Sequence, residues 1–365
     1  MKASRFEPLG LCPALSPRYT SGLIFEGLIV NVSSRFLTAG LCIAASLLSV
    51  SVVAQTPRTA PVAAAPPPVF VLNSLDDSLS VINPVDWTEI KRIPTGKEPH
   101  HLYMTPDDKS IIVANALADS LTFIDPRTAE VQRVVRGIFD PYQLRFSPDM
   151  KWLVINGNRL NHVDLYRCDG KDLTLAKRIP TGKTPSHIWI DSRSTTAYST
   201  MQDSDELIAI DLARQEIKWR IRTGPMPADI YSTPDDKTLL VGLTGSDGVE
   251  IFDVSGDAPR SLRVLKTGAG AHAFRSAGDK RHVYLSNRVA NTISKIDLTT
   301  LQVVDNYPAP GGPDCMDVMA GGRYLMATSR WARKLTIIDT QTRQYRQIKV
   351  GKSPHGVWTL DHAPR

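Results

Sequence analysis

An internal repeat constrains this chain more than any other feature of its sequence. A short turn led by glycine or aspartate, followed by an apolar run, recurs seven times at a spacing of about 42 residues. The copies read GKEPHHL, DPYQL, GKTPSHI, GPMPADI, GAGAHAF, GGPDCM and GKSPHGV, and they begin at Gly96, Asp140, Gly182, Gly224, Gly268, Gly311 and Gly351. Self-similarity at this period is typical of propellers and other repeat arrays.

Each repeat contains four segments of strand length. The first follows the turn, and the second is rich in β-branched residues, as in IIVAN from Ile111. A third follows a polar loop, as in LTIID from Leu335, and a fourth precedes the next turn. Buried strands have this length and composition. Four strands in each of seven repeats predict an all-β fold, a seven-bladed β-propeller.

The phase of the repeat predicts how the propeller closes. The pattern starts with a second-type strand, VFVLN from Val69, and ends with a first-type strand at His355 to Leu360. Pairing of these two strands completes one blade and removes open sheet edges, which promote aggregation. We therefore expect the N-terminal and C-terminal strands to pair within one blade.

Particular segments carry a family resemblance, namely VYLSNRVANTISKIDLTTLQVV from Val283 and the turns TPDDK from Thr105 and SPDMK from Ser147. Through them the chain resembles the YVTN-repeat β-propeller family of bacterial periplasmic and surface-layer proteins, and it is similar to the propellers of nitrous oxide reductase and amine dehydrogenases. The resemblance covers residues 69–365. It implies the fold and no particular activity, because propellers host unrelated functions.

The first 54 residues differ from the repeats. Arg35 precedes the apolar stretch FLTAGLCIAASLLSVSVVA, which ends at Ala54 with Val52 two positions before it. This pattern predicts a secretory signal peptide over residues 1–54 and a periplasmic or secreted mature protein. An uncleaved anchor is the alternative, because the apolar stretch is just long enough to span a bilayer.

The segment that joins this region to the repeats is rich in proline and alanine. Residues 55–68 read QTPRTAPVAAAPPP, which has neither a helix nor a strand period. Such a sequence is typical of an extended linker. We therefore assign residues 69–365 to the propeller as one domain.

Charge and cysteine content exclude several classes of protein. The formal net charge is +6 over 365 residues, and basic residues are interspersed with acidic ones, so nucleic-acid binding is not indicated. After the signal segment only Cys168 and Cys315 remain, on an outer turn and an inner strand. A disulfide between them is not expected, and blade packing must stabilise the fold. We expect a monomer that contacts membrane only through an uncleaved N-terminal segment.

The histidines are distributed unevenly along the repeat. Five of the eight lie one or two places after a repeat-opening turn, namely His100, His101, His187, His272 and His355. In a propeller this turn leads into the innermost strand of the next blade, so these residues surround one mouth of the central channel. Equivalent positions elsewhere hold Tyr142, Gln143, Ser186, Ala228, Asp229, Ala273, Asp314, Cys315 and Gly356.

Two interpretations of these histidines stay open. Imidazole, carboxylate and thiol groups are ligands for transition metals, so the five histidines are a candidate site for Zn or Cu. Polar side chains at this place also hydrogen-bond the turn or water in the channel, without any ligand. The sequence does not decide which of the two positions faces the channel.

Loops between the second and third strands open on the same face. They contain arginines and a tryptophan that suit an anionic ligand or a protein partner, namely Arg159, Arg288, Arg330, Trp331 and Arg333. Tyr142, Asp229 and Asp314 complete this set of candidate ligand-binding residues. The alternative is that the arginines pair with acidic residues in nearby turns.

Two classes of function follow. The first is a non-catalytic scaffold that holds a small molecule, metal or protein at the channel mouth, and the absence of a recognisable catalytic motif favours it. The second is an enzyme, either a metal-dependent lactonase-type hydrolase or a redox accessory propeller, and the histidines favour it. The sequence identifies no physiological ligand.

Overall fold

The computed structural model describes residues 66–364, and this range forms a seven-bladed propeller. Each blade is a four-stranded antiparallel sheet whose strands follow the chain from the channel outward, except that the last strand joins the first blade. The predicted fold and number of blades are confirmed. The segment 1–54, for which the sequence predicts a signal peptide or an anchor, and residues 55–65 of the predicted linker lie outside the described residues.

The first blade combines β1 (Val69–Asn73), β2 (Ser78–Ile82) and β3 (Glu89–Pro94) with β28 (Pro354–Thr359). The second contains β4 (Pro99–Met104), β5 (Ile111–Asn115), β6 (Ser120–Ile124) and β7 (Val131–Arg136). The third contains β8 (Pro141–Phe146), β9 (Trp152–Gly157), β10 (His162–Asp169) and β11 (Asp172–Pro180). The fourth contains β12 (Pro185–Ile190), β13 (Thr196–Met201), β14 (Glu206–Asp211) and β15 (Glu216–Arg222).

The fifth blade contains β16 (Pro227–Ser232), β17 (Thr238–Leu243), β18 (Gly248–Asp253) and β19 (Arg260–Lys266). The sixth contains β20 (Ala271–Ser276), β21 (His282–Asn287), β22 (Thr292–Asp297) and β23 (Gln302–Pro308). The seventh contains β24 (Pro313–Met319), β25 (Tyr324–Ser329), β26 (Lys334–Asp339) and β27 (Tyr345–Lys349). Single-turn 3₁₀ helices follow β5 and β24, at Ala116–Ala118 and Ala320–Gly322. No helix within the described range is both long and apolar enough to cross a membrane.

Burial along the strands explains their composition. The second strands β1, β5 and β9 are buried at every position, because a neighbouring blade covers each face. The outermost strand β15 alternates exposed and half-buried residues. Continuous apolar runs are therefore typical of the second strands, whereas alternation of polar and apolar residues is typical of the outermost strands. The apolar core lies between adjacent blades.

A buried asparagine holds the turn that opens several repeats. Asn115, at the end of β5, accepts a hydrogen bond from the amide of Gly96 at 3.0 Å and donates to Thr122 at 3.0 Å. Asn73 accepts in the same way from Gly351 at 2.9 Å. A Cβ atom on Gly96 would lie 2.7 Å from that of Asn115, which is closer than real Cβ atoms approach. In these two turns the glycine is therefore required by its contact with the asparagine.

The two ends of the propeller meet as expected. Strand β1 pairs antiparallel with β28, with Phe70 opposite Trp358 and Val69 opposite Thr359. The closing strand spans Pro354–Thr359, one residue earlier than the run His355 to Leu360 predicted from the sequence. Closure within one blade is confirmed. Cys168 and Cys315 are both free thiols.

Candidate functional site

The innermost strands begin with a bulge. In each blade, the pairing between the innermost strand and its neighbour shifts register within the first few residues, as between Pro99 and His101 in β4. A bulge places two residues of one strand opposite one of its partner and redirects their side chains. His100 and His101 are consecutive, yet both contact other histidines at the channel mouth. Both candidate positions therefore contribute to the site.

Five histidines form a closed ring of contacts, which we call the histidine ring (His100, His101, His187, His272 and His355). Successive imidazole centroids lie 4.2 Å apart for His355 and His100, 4.9 Å for His100 and His101, and 5.2 Å for His101 and His187. The circuit continues at 5.1 Å from His187 to His272 and closes at 6.5 Å to His355. All five side chains are buried. The structure thus brings together every histidine that the sequence assigned to this mouth.

In two residues of the histidine ring, backbone carbonyls determine which imidazole nitrogen carries the hydrogen. Nδ1 of His101 lies 2.8 Å from the carbonyl oxygen of Tyr142, and Nδ1 of His355 contacts the carbonyl oxygen of His100. A carbonyl only accepts hydrogen bonds, so Nδ1 carries the hydrogen and Nε2 carries the lone pair in each neutral ring. Nε2 of both residues is buried and has no hydrogen-bond partner among residues 66–364. These are the tautomers that bind metals through Nε2.

Asp314 connects the histidine ring to two arginines. Its Oδ1 lies 3.1 Å from Nε2 of His272 and 3.6 Å from Nε2 of His355. Its Oδ2 accepts from Arg288 at 2.6 Å and from Arg330 at 3.2 Å. Burial alone would raise the pKa of this carboxyl, but Arg288 and the other neighbouring basic groups hold it well below its usual range. Asp314 is therefore a buried carboxylate with one oxygen facing the histidines.

Burial keeps the histidine ring neutral. It lowers the pKa of His101 to about 3, and it lowers that of His272 to about 4 with the help of the Arg288 charge. Burial is also the main reason why the pKa values of His100, His187 and His355 lie well below the ordinary value for histidine. Lone pairs on these rings are thus not occupied by protons near neutral pH.

Two further candidate residues lie beside the histidine ring. The ring of Tyr142 stacks on His100 with centroids 3.7 Å apart, and burial raises its pKa to about 12. Asp229 accepts backbone hydrogen bonds from Ile230 and from Phe274 of the next blade, and burial raises its pKa to about 6. Tyr142 therefore packs against the ring, whereas Asp229 joins two innermost strands.

The loop residues divide into paired and exposed groups. Arg288 and Arg330 pair with Asp314, as described, and Arg159 pairs with Glu98 at 3.0 Å and Asp140 at 2.8 Å. Trp331 is 60% exposed, and Arg333 is also exposed. The structure thus brings only Arg288 and Arg330 of this group to the histidine ring.

Sequence reasoning missed a second layer of the channel. Two residues beyond the mouth, the innermost strands carry aromatic and charged side chains, namely Tyr103, Arg145, Trp189, Tyr231, Arg275, Asp317 and Trp358. Side chains alternate in a strand, so residues two apart lie on one face. The repeat alignment contained this signal, because the same offset from each turn gives these residues.

Two overlapping groups have the composition of a metal site. In one, His100, His101 and His355 offer ligand atoms within 4.8 Å of one another, and in the other His272, Asp314 and His355 do so. Three ligands of one Zn lie closer than this, since each bond is about 2.0 to 2.1 Å long. Small rotations of the imidazole rings would have to bring either group together.

Comparison with known proteins supports the fold. A family model described as a YncE-like β-propeller matches residues 30–365. The uncharacterized protein YncE of Salmonella typhi is 28% identical over 162 residues, which is 43% of this chain and 45% of that protein. The aligned region therefore spans less than half the length of that relative.

Solved structures share the architecture at low sequence identity. Hydrazine synthase of Kuenenia stuttgartiensis superposes with a TM-score of 0.61 at 23% identity, over 71% of this chain and 88% of that one. The periplasmic gluconolactonase PpgL of Pseudomonas aeruginosa gives 0.68 at 16% identity, over 80% and 98%. Identities of this size indicate a common fold and carry no activity across.

Proposed function

The chain belongs to the YncE-like β-propeller family, and from this premise we propose that it is a binding scaffold that holds a transition-metal ion at the histidine ring. The observation that carries the proposal is the tautomeric state of His101 and His355, whose Nε2 atoms are buried lone-pair donors without a partner among the described residues. An unpaired buried polar atom costs about 1 to 3 kcal/mol, which a bound ion would offset. The apolar stretch from Phe36 to Val53 supports the further proposal that the protein acts after export.

His355 is the central ligand of the proposed site. It belongs to both candidate groups, and its Nε2 lies 3.6 Å from Oδ1 of Asp314. Its Nδ1 is held by the carbonyl of His100, so the ring orientation is set by the backbone of the neighbouring blade. Such outer hydrogen bonds orient ligating histidines in known metal sites.

Charge at the mouth favours an imidazole-binding metal. Arg288 and Arg330 offset the negative charge of Asp314, so the attraction of this carboxylate for a cation is weakened. Hard ions such as Mg²⁺ and Ca²⁺ require several carboxylate or carbonyl oxygens, whereas Zn and Cu accept neutral imidazole. We therefore propose Zn or Cu as the ion.

Metal titration tests this proposal. We expect calorimetric titration with Zn²⁺ or Cu²⁺ to show one high-affinity site, and a His100→Ala, His355→Ala double variant to lose affinity. The loss should exceed the roughly 10- to 100-fold that removal of an outer hydrogen-bond partner costs in metal sites. Metal content of the protein purified without chelator gives an independent reading.

His162→Ala is the matched control. His162 is also buried, but it lies in the third blade beside Asp164 and outside the histidine ring. Its replacement should leave metal affinity unchanged. Equal affinities in all three proteins, or no binding in any, would contradict the proposal and leave the histidine ring as polar lining of the channel.

A further inference from the structure

A cavity of about 100 Å³ lies in the channel next to the histidine ring. Its walls combine ring members with the second layer of the channel, chiefly His101, His187, Arg145, Trp189, Tyr231 and Trp358. The space is large enough for several water molecules or one small organic molecule. Aromatic faces and two arginines, Arg145 and Arg275, make it different in chemistry from the mouth.

Arg145 packs against two aromatic rings in the cavity. Its guanidinium carbon lies 4.4 Å from the ring centroid of Trp189 and 5.3 Å from that of Tyr103. No hydrogen bond or ion pair joins it to any residue in the range 66–364. Arg275, by contrast, lies 2.6 Å from Asp317. Arg145 is therefore the cavity cation that lacks a counter-charge in contact.

The acidic residue that lines this cavity makes no hydrogen bond to Arg145. Asp229 also lines the cavity, but one of its oxygens accepts from the amide of Ile230 and the other from that of Phe274. The carboxylate of Asp229 and the guanidinium of Arg145 interact only through the attraction of their charges, without a hydrogen bond. Arg145 thus has its hydrogen-bonding capacity available for another anion.

Several buried polar atoms of the cavity lining, one of them on Arg145, lack hydrogen-bond partners in the described part of the chain. They include two donors, Nε of Arg145 and Nε1 of Trp189, and they include Oε1 of Gln143 and Nε2 of His187. Gln143 and His187 are 6% and 2% exposed. Buried polar groups are nearly always hydrogen-bonded in proteins, so this concentration indicates a site built for a polar occupant.

We propose that the channel cavity binds a small aromatic carboxylate, with its carboxylate on Arg145 and Trp189 and its ring against the aromatic walls. Guanidinium is suited to planar carboxylates, and the indole N–H adds a second donor. Aromatic lining with a few polar groups is the usual composition of small-molecule sites. This site does not depend on metal binding at the histidine ring.

Benzoate is the probe that tests the proposal. With a chelator present, so that metal binding cannot contribute, we expect benzoate to quench tryptophan fluorescence and to release heat on titration. Acetate lacks the ring and benzyl alcohol lacks the charge, so both should bind more weakly. Arg145→Gln should weaken benzoate binding about tenfold or more, because a hydrogen bond to a charged group is lost.

The control replaces an arginine with the same kind of packing elsewhere. Arg167 lies 3.6 Å from the ring centroid of Trp152, on the outer part of the third blade, and Arg167→Gln should leave benzoate affinity unchanged. Trp189→Phe keeps an aromatic wall and removes one hydrogen-bond donor, so it should lower benzoate affinity by a smaller factor than Arg145→Gln. It also provides a second test if Arg145→Gln fails to fold.

Three results would overturn the proposal. Absence of benzoate binding at millimolar concentration would leave the cavity as a water-filled channel. Equal benzoate affinities in the wild type, Arg145→Gln and Trp189→Phe would place benzoate elsewhere. Equal binding of benzoate and benzyl alcohol would exclude the carboxylate as the recognised group.

Discussion

Asp314 has no exposed surface, yet four basic side chains contact it. Arg288 and Arg330 hold one oxygen, and His272 and His355 lie near the other. A buried carboxylate of this kind is stable only because its charge is paired. This residue therefore connects the stability of the mouth with its chemistry.

Replacement of Asp314 by Asn should be strongly destabilising. The amide keeps the shape of the side chain but leaves Arg288 and Arg330 without their shared counter-charge, and breaking a buried pair in this way costs about 3 kcal/mol or more. Urea unfolding measures the loss. Asp305→Asn is the control, because Asp305 pairs with Arg343 near the surface, where such pairs contribute at most about 1 kcal/mol. Similar losses in both variants would contradict the argument.

Only part of the candidate site could be predicted from the sequence. Repeat alignment placed the five histidines at one mouth, because equivalent positions in a propeller are equivalent in space. It left open which of His100 and His101 faces inward, since a bulge cannot be seen in the pattern. The pairing of Arg288 with Asp314 depends on side chains from adjacent blades, and one sequence does not contain those distances.

Among the elements, the innermost strand β28 of the first blade contacts residues of several neighbouring strands. Strand β28 pairs with β1 and contributes Trp358 and Val357 to two different clusters of the apolar core. The indole N–H of Trp358 also donates to the carbonyl of Leu102 in the second blade. One C-terminal strand therefore joins three blades.

Removal of residues 353–365 should destabilise the fold severely. Deletion strips β28 from the sheet and exposes the apolar side chains of β1, and burying each large side chain contributes about 1.5 to 3 kcal/mol. Thermal melting measures the effect, and addition of a synthetic peptide with the deleted sequence should restore part of the loss. A truncated protein that melted with the wild type would disprove the role of this closure.

Strand positions and the closing pair were predictable because each depends on local composition and on repeat phase. VFVLN from Val69 and LTIID from Leu335 lie in strands as expected. The contact between Asn115 and Gly96 was not predicted, although both residues recur in the repeat. Gly96 lies in the turn between the first two blades and Asn115 at the end of β5, and only the fold brings the two residues together.

For the whole molecule, the histidine ring makes stability dependent on pH. In the unfolded chain each histidine takes up a proton below about pH 6.5. In the folded protein His272 does so only at about pH 4 and His101 at about pH 3. The unfolded state therefore binds more protons in this window, and the free energy of unfolding falls as the pH decreases from about 6.5 to about 4.

Urea unfolding at several pH values checks this expectation. Each histidine that stays neutral should lower the free energy of unfolding by about 1.4 kcal/mol per pH unit. Asp229 acts in the opposite direction below about pH 6, because its folded pKa is raised to about 6, but it is one group against five. His272→Gln should reduce the slope. Stability that does not change between pH 6.5 and 5 would contradict the burial of neutral histidines.

The pairing of β1 with β28 also determines when the propeller can close during synthesis of the chain. Val69 is made early, but its partner Thr359 is added about 290 residues later. At the usual translation rate of about 5 to 20 residues per second, the innermost strand of the first blade is synthesised roughly 15 to 60 seconds after β1. During that time β1 presents an unpaired apolar edge. The nascent chain therefore has to be kept from pairing with other chains until its final residues emerge.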